Sequence, residues 1–146
     1  MAFKLGMDCK LYRNTGTYGT PVWNLVDNCR DVTLSLEAAE SDVTTRGNAG
    51  WKATVATLRD AGLEFEMVWD SADADFTDFQ TKFLTNATLE MLILDGVETV
   101  ASGSQGLRAT MMITKFSRKE SLAEAVMTSV TMKPAYATNA PAWVTR

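Results

Sequence analysis

Any chemistry in this sequence would have to come from carboxylates and two thiols, because it contains no histidine. That absence removes the commonest general base, the usual nucleophile triads and most catalytic zinc sites. Glu64 and Glu66 share a strand face, and Asp73 and Asp75 stand near a helix start. General acid–base work would need one member of such a pair buried with a raised pKa, and both pairs read as exposed. Asp73, Asp75 and Asp78 have the spacing of part of a calcium loop but lack its glycine and terminal glutamate. Ser102-Gly103-Ser104-Gln105-Gly106 is followed by no helix with a P-loop lysine and reads as a flexible connection between strands. Cys9 and Cys29 are two ligands short of a structural zinc site. No catalytic residue, metal or cofactor is expected, and the chain reads as a non-enzyme.

The thiols bear on compartment instead. A disulfide closing the loop between them could contribute roughly 3 kcal/mol, but only under oxidising conditions. Met1-Ala2-Phe3-Lys4 lacks the apolar run of a signal peptide, and no stretch approaches ~18 apolar residues. Both cysteines are therefore expected to be reduced and structural, with no membrane insertion. Asn86-Ala87-Thr88 fits a glycosylation acceptor, which has no meaning without secretion.

The elements that carry these residues have mostly a period of two. Val32, Leu34 and Leu36 alternate with polar neighbours, as do Leu63, Phe65, Met67 and Trp69. Leu107, Ala109, Met111 and Ile113 repeat the pattern, and so do Val126, Thr128, Val130 and Met132. Each predicts a half-buried strand of an antiparallel sheet. Shorter strands are expected at Met7–Tyr12, Pro21–Val26, Trp51–Leu58 and Leu89–Leu94, the last apolar on both faces and so central or covered. Asp60-Ala61-Gly62 reads as a tight turn between Trp51–Leu58 and the strand starting at Leu63. One segment, 71–85, changes period: Phe76, Phe79 and Phe83 fall on one helix face. Ser71 is its expected N-cap and Asn86 its stop. The sum is one domain over 1–146, with seven or eight strands and one helix laid on a sheet by its phenylalanines.

The chain has 146 residues, the length of one ordinary domain, and a net charge of −4. An acidic chain without a basic run is a poor candidate for sequence-specific DNA binding. The charge is unevenly spread: from Asp60 to Glu98 there are ten acids and one base, Lys82. Internal or intersubunit complementarity, a surface that must repel its neighbour, and a solvated face all fit this asymmetry. The connection Ala38–Gly50 is long for a compact domain. It reads either as an arm ordered by a partner or as a long hairpin with a loose tip.

The stretch Asp31-Val32-Thr33-Leu34-Ser35, then Ser41-Asp42-Val43-Thr44-Thr45-Arg46, then Gly50-Trp51-Lys52, resembles the signature region of major tail tube proteins of long-tailed (Caudoviricetes-type) bacteriophages. The order that follows is similar too: Asp60-Ala61-Gly62-Leu63-Glu64-Phe65, one aromatic-faced helix, and late strands ending in Val126–Lys133. The resemblance covers about residues 5–135; Cys9 and the Trp143-bearing tail (134–146) depart from it.

The resemblance implies a mainly β fold, a two-sheet β-sandwich with one flanking helix. One sheet from each of six subunits would join into a ring barrel, and rings would stack into a helical tube. It implies a virion tail protein assembled in the bacterial cytoplasm, with terminator, baseplate or tip, and tape measure proteins as partners. Double-stranded DNA would pass through the lumen without specific binding. The segment 38–50 would be the inter-ring arm, with Ser41, Asp42, Val43, Thr44, Thr45, Arg46 and Trp51 as its contacts. Glu64, Glu66, Asp70 and Glu90 would be lumen-facing acids, keeping phosphates from sticking. The tube of a contractile injection or type VI secretion apparatus, carrying effector proteins, is the alternative, and a non-polymerising terminator ring a third.

Overall fold

A computed structural model describes residues 3–146. Eight strands and one α-helix occur in the order β1 (Lys10–Asn14), β2 (Trp23–Leu25), β3 (Cys29–Asp42), β4 (Thr54–Val68), α1 (Ala74–Leu84), β5 (Thr88–Leu94), β6 (Gln105–Lys119), β7 (Met127–Pro134) and β8 (Ala142–Thr145). All pairings are antiparallel, in one sheet ordered β2-β1-β5-β6-β7-β4-β3, with β8 alongside the start of β6. The edge strands β2 and β3 are joined only by Val26–Asn28. Laid flat, that sheet would set its edges about 29 Å apart, whereas the link from Leu25 to Cys29 spans at most about 14 Å. The sheet must therefore curl over on itself, so that its two layers are one hydrogen-bonded surface.

The alternating apolar residues meet inside the curl. Leu63, Phe65 and Met67 of β4, Leu107 to Ile113 of β6, and Val130 and Met132 of β7 are buried with Leu89 and Met91 of β5. Helix α1 closes this core with its phenylalanines: Phe79 lies 5.3 Å from Phe65, and Phe76 lies 4.6 Å from Trp69, ring centre to ring centre. β5 is both central and covered. Its second face puts Leu92 and Leu94 against Tyr12, Trp23 and Val144. Gly106 of β6 allows the closest backbone approach here, since a Cβ on it would fall 1.6 Å from the Ile93 carbonyl oxygen.

Several expectations need correcting. Asp60-Ala61-Gly62 is not a turn. β4 runs straight through it, because β3 is nearly as long and pairs Glu37 with Asp60, Leu36 with Ala61 and Ser35 with Gly62. Ser71 is not the N-cap. Asp73 takes that role, its carboxylate accepting from the Asp75 amide, and the helix starts at Ala74. The stop is as expected: Asn86 adopts a left-handed φ of 53°, while its amide and that of Ala87 close back on Phe83 and Lys82. β3 is not half-buried. Leu34 reaches the core, but Val32 and Leu36 are exposed, because nothing among the described residues covers this edge. Among the described residues no helix is long and apolar enough to cross a membrane.

Candidate functional site

Three surfaces follow from this topology: a projecting hairpin, a polar sheet face and an apolar groove. The hairpin is the distal part of β3 and β4. Ser41 and Asp42 are still strand residues paired with Val55 and Thr54, so the expected arm at 38–50 begins inside β3 and its true tip is Val43–Ala53. At the tip Asp42 accepts hydrogen bonds from the Thr44 amide at 2.9 Å and its hydroxyl at 2.5 Å, which holds the Asp42 carboxyl below its usual pKa. Thr45 caps a single turn at Arg46–Asn48 by accepting from Gly47. Thr44 also accepts from the Ala53 amide across the tip. The tip is thus ordered by its own polar side chains. The apolar side chains of the hairpin are left uncovered: Trp51 at the tip is 78% exposed, Val43 is exposed beside the strand ends, and Leu36, Val55 and Leu58 on the two strands are exposed as well. An isolated two-stranded hairpin is marginally stable in water, and this one is apolar as well.

The polar face is the outer side of β3, β4, β7 and β6. Pairing aligns Thr33, Glu64, Thr131 and Lys115 in one row, and Arg30, Glu66, Ser129 and Ser117 in the next. Lys115 reaches this face through a bulge at Thr114, which reverses the inward–outward phase of β6 and turns Phe116 towards the core. Lys133 joins it and pairs with Asp60 at 3.6 Å. Glu64 and Glu66 are thus brought together on a face of mixed charge.

The other two acids expected beside them lie elsewhere. Asp70 sits in the turn before α1, its carboxylate accepting from the Ala72 amide at 3.0 Å. Glu90 is largely buried on β5, ion-paired with Arg108, and accepts from Asn14 at 2.8 Å. Arg108 in turn stacks on Tyr18 at 3.9 Å and donates to its carbonyl. Glu90 is therefore not a free charge.

Much of the acidic segment is neutralised in the same way. Buried Arg13 binds both Asp75 and Asp78, the latter at 3.0 Å, tying α1 to β1. Burial pushes the Asp75 carboxyl up, and Arg13 pulls it back part of the way. Glu98 pairs with Arg146 at 3.4 Å. The bases come from outside the segment, which is why a linear count shows only the excess.

The groove opens beneath the β2–β3 link, with a volume of about 720 Å³. Leu11, Leu25, Val26, Leu34 and Trp143 line its apolar wall, and Asp27, Asp31 and Asp95 stand among its polar groups. Both cysteines reach it, unbridged; Cys9 is exposed, while burial pushes the Cys29 thiol up. Sequence reasoning missed this groove, because residues of five strands and the C-terminal tail build it. Among the described residues, no group of three metal-ligating side chains is placed to hold an ion.

No protein-family model matches this chain, and no curated protein sequence does. Solved structures do share its fold. The SPP1 tail tube, determined by solid-state NMR and cryo-electron microscopy, is similar with a TM-score of 0.76 at 10% identity, over 98% of this chain and 80% of that one. The tail of an empty gene transfer agent (GTA) particle, refined helically with C6 symmetry, gives 0.73 at 18% identity over 99% of both chains. A chain of the anti-feeding prophage baseplate is more distant, at 0.57 and 10% identity, over 93% of this chain and 90% of that one. The fold is that of tail tube proteins: a mainly antiparallel sheet with one helix.

Proposed function

We propose that this chain is a structural subunit of a virion tail, closing into rings that stack into a tube, with no enzymatic role. The observation that carries this reading is the match, over 98–99% of this chain, to the SPP1 tail tube and to a GTA tail refined with C6 symmetry. The sheet edges support it. β3 is paired on one side only, and β5 follows β6 no further than Met112, leaving Lys115–Lys119 open on that side. Joining the β3 edge of one subunit to the β6 edge of the next would remove both open edges and make the polar face of β6, β7, β4 and β3 continuous. With six subunits, as in the C6 tail, that face would line a lumen, and Glu64 and Glu66 would point into it.

On this reading the lumen is a conduit for genomic DNA, and its charge balance matters. Glu64, Glu66, Glu37 and Asp60 offset Arg30, Lys115, Lys119 and Lys133 on the face. Phosphates then gain little counterion release and are not held. The tube of a contractile injection or type VI secretion apparatus, carrying effector proteins, is the second reading; the more distant similarity to an anti-feeding prophage baseplate chain is compatible with it. Shortening the arm tests the polymer reading. Replacing Ser41–Val55 by Asn-Gly keeps the Glu40–Ala56 pair and supplies a two-residue turn. The variant should fold, with an unchanged circular dichroism melt, but should not sediment as polymer. Polymers like those of the parent chain would overturn the arm's role.

A further inference from the structure

We infer that the arm tip inserts Trp51 into the apolar groove beneath the β2–β3 link of another copy of this chain, joining subunits head to tail. The inference rests on the tube reading and names the receptor that reading leaves open. Three observations carry it. First, the two surfaces match in character. The groove wall is apolar and lies open to solvent, while the tip presents a tryptophan that is 78% exposed beside exposed Val43. A tryptophan buries about 150–250 Å² when covered and is a frequent interface anchor.

Second, their charges are complementary. The tip, Val43–Ala53, carries Arg46 and Lys52 and no acid. The groove carries Asp27, Asp31 and Asp95 against Lys10 and Arg30, with Arg30 already 3.8 Å from Asp31.

Third, the two surfaces lie at opposite ends of one strand. β3 starts at Cys29 in the groove and ends at Asp42 beneath the tip, roughly 43 Å away. A tip cannot fold back along its own strand to reach its own groove. Two different surfaces at opposite ends of a molecule make a heterologous contact, which forms an open filament wherever the rotation relating the copies does not close into a ring.

Native Cys9 provides the test, since it is exposed and lines the groove. In a Cys29→Ala background, Gly47→Cys places one thiol at the exposed tip, leaves Arg46, Trp51 and Lys52 in place, and leaves one thiol in the groove. A short bismaleimide added to assembled tubes should give a ladder of covalent multimers on a denaturing gel, lost when Cys9→Ser is added. Tubes that form without a ladder, or a cross-linked dimer band that persists undiminished after Cys9→Ser has left the tip thiol alone, would overturn the inference while leaving the tube reading intact. Failure of the parent chain to form tubes under any condition would overturn both. Independently, Trp51→Ala should fold normally and need roughly tenfold or more higher concentration to polymerise; polymerisation at the parental concentration would also overturn it.

Discussion

Arg13 shows how single residues decide the character of this surface. It lies buried on β1, its guanidinium shared between Asp75 and Asp78 of α1. Arg13→Met should cost about 3–5 kcal/mol, because it leaves Asp75 buried without its counter-charge. Urea denaturation would measure this, and adding Asp75→Leu should recover much of the loss. An Arg13→Met variant as stable as the parent would show the pair to be dispensable. At this scale the sequence is legible as types but not as partners. The excess of acids between Asp60 and Glu98 can be counted. That Arg13, Arg108, Lys133 and Arg146 pair with five of them, Arg13 with two, depends on strand pairing across distant segments. Internal complementarity therefore accounts for part of the asymmetry, and Glu64 and Glu66 remain without a partner base among the ion pairs of the described residues.

The arm is an element whose tip is held by a titrating side chain. Asp42 accepts two hydrogen bonds from Thr44, which lower its pKa from the usual 3.8. A carboxyl depressed in the folded state stabilises that state above its unfolded pKa and loses this contribution as pH falls through the folded value. The tip should therefore keep its conformation from neutral pH down to 3.8 and lose it only below. The Thr44 amide resonance would report this with a midpoint under 3.8, and Asp42→Ala should abolish the transition. A midpoint above 3.8 would contradict the assignment.

Element boundaries were readable where one signal acted alone. Phe76, Phe79 and Phe83 mark α1 because no strand could place all three on one face. They failed where two signals competed: Asp60-Ala61-Gly62 has turn chemistry, yet pairing with β3 along its whole length keeps it extended. The alternation in β6 stopped being legible at Thr114, where the bulge slips the period by one residue and no residue type announces it. The length of the arm was visible as a gap between apolar patterns, but its strand-like half was not.

At the scale of the molecule, a curled sheet with open edges carries an arm at one end of β3 and a groove at the other. None of these is readable from local pattern, because each depends on which strands neighbour one another. The charge-balanced face of β3, β4, β7 and β6, the proposed lumen wall, yields a prediction of its own. Glu64→Lys with Glu66→Lys would turn that face basic, so tubes of the double variant should retain added DNA at low salt and release it at high salt. Variant tubes with no greater DNA retention than the parent would remove Glu64 and Glu66 from the lumen. The central claim remains that this chain polymerises into a hollow tube. Negative-stain electron microscopy of the purified protein at high concentration tests it most directly. Stacked rings with a stain-filled central channel are the expected result; a monodisperse protein that never stacks, even with the other tail components of its own virion, would contradict it.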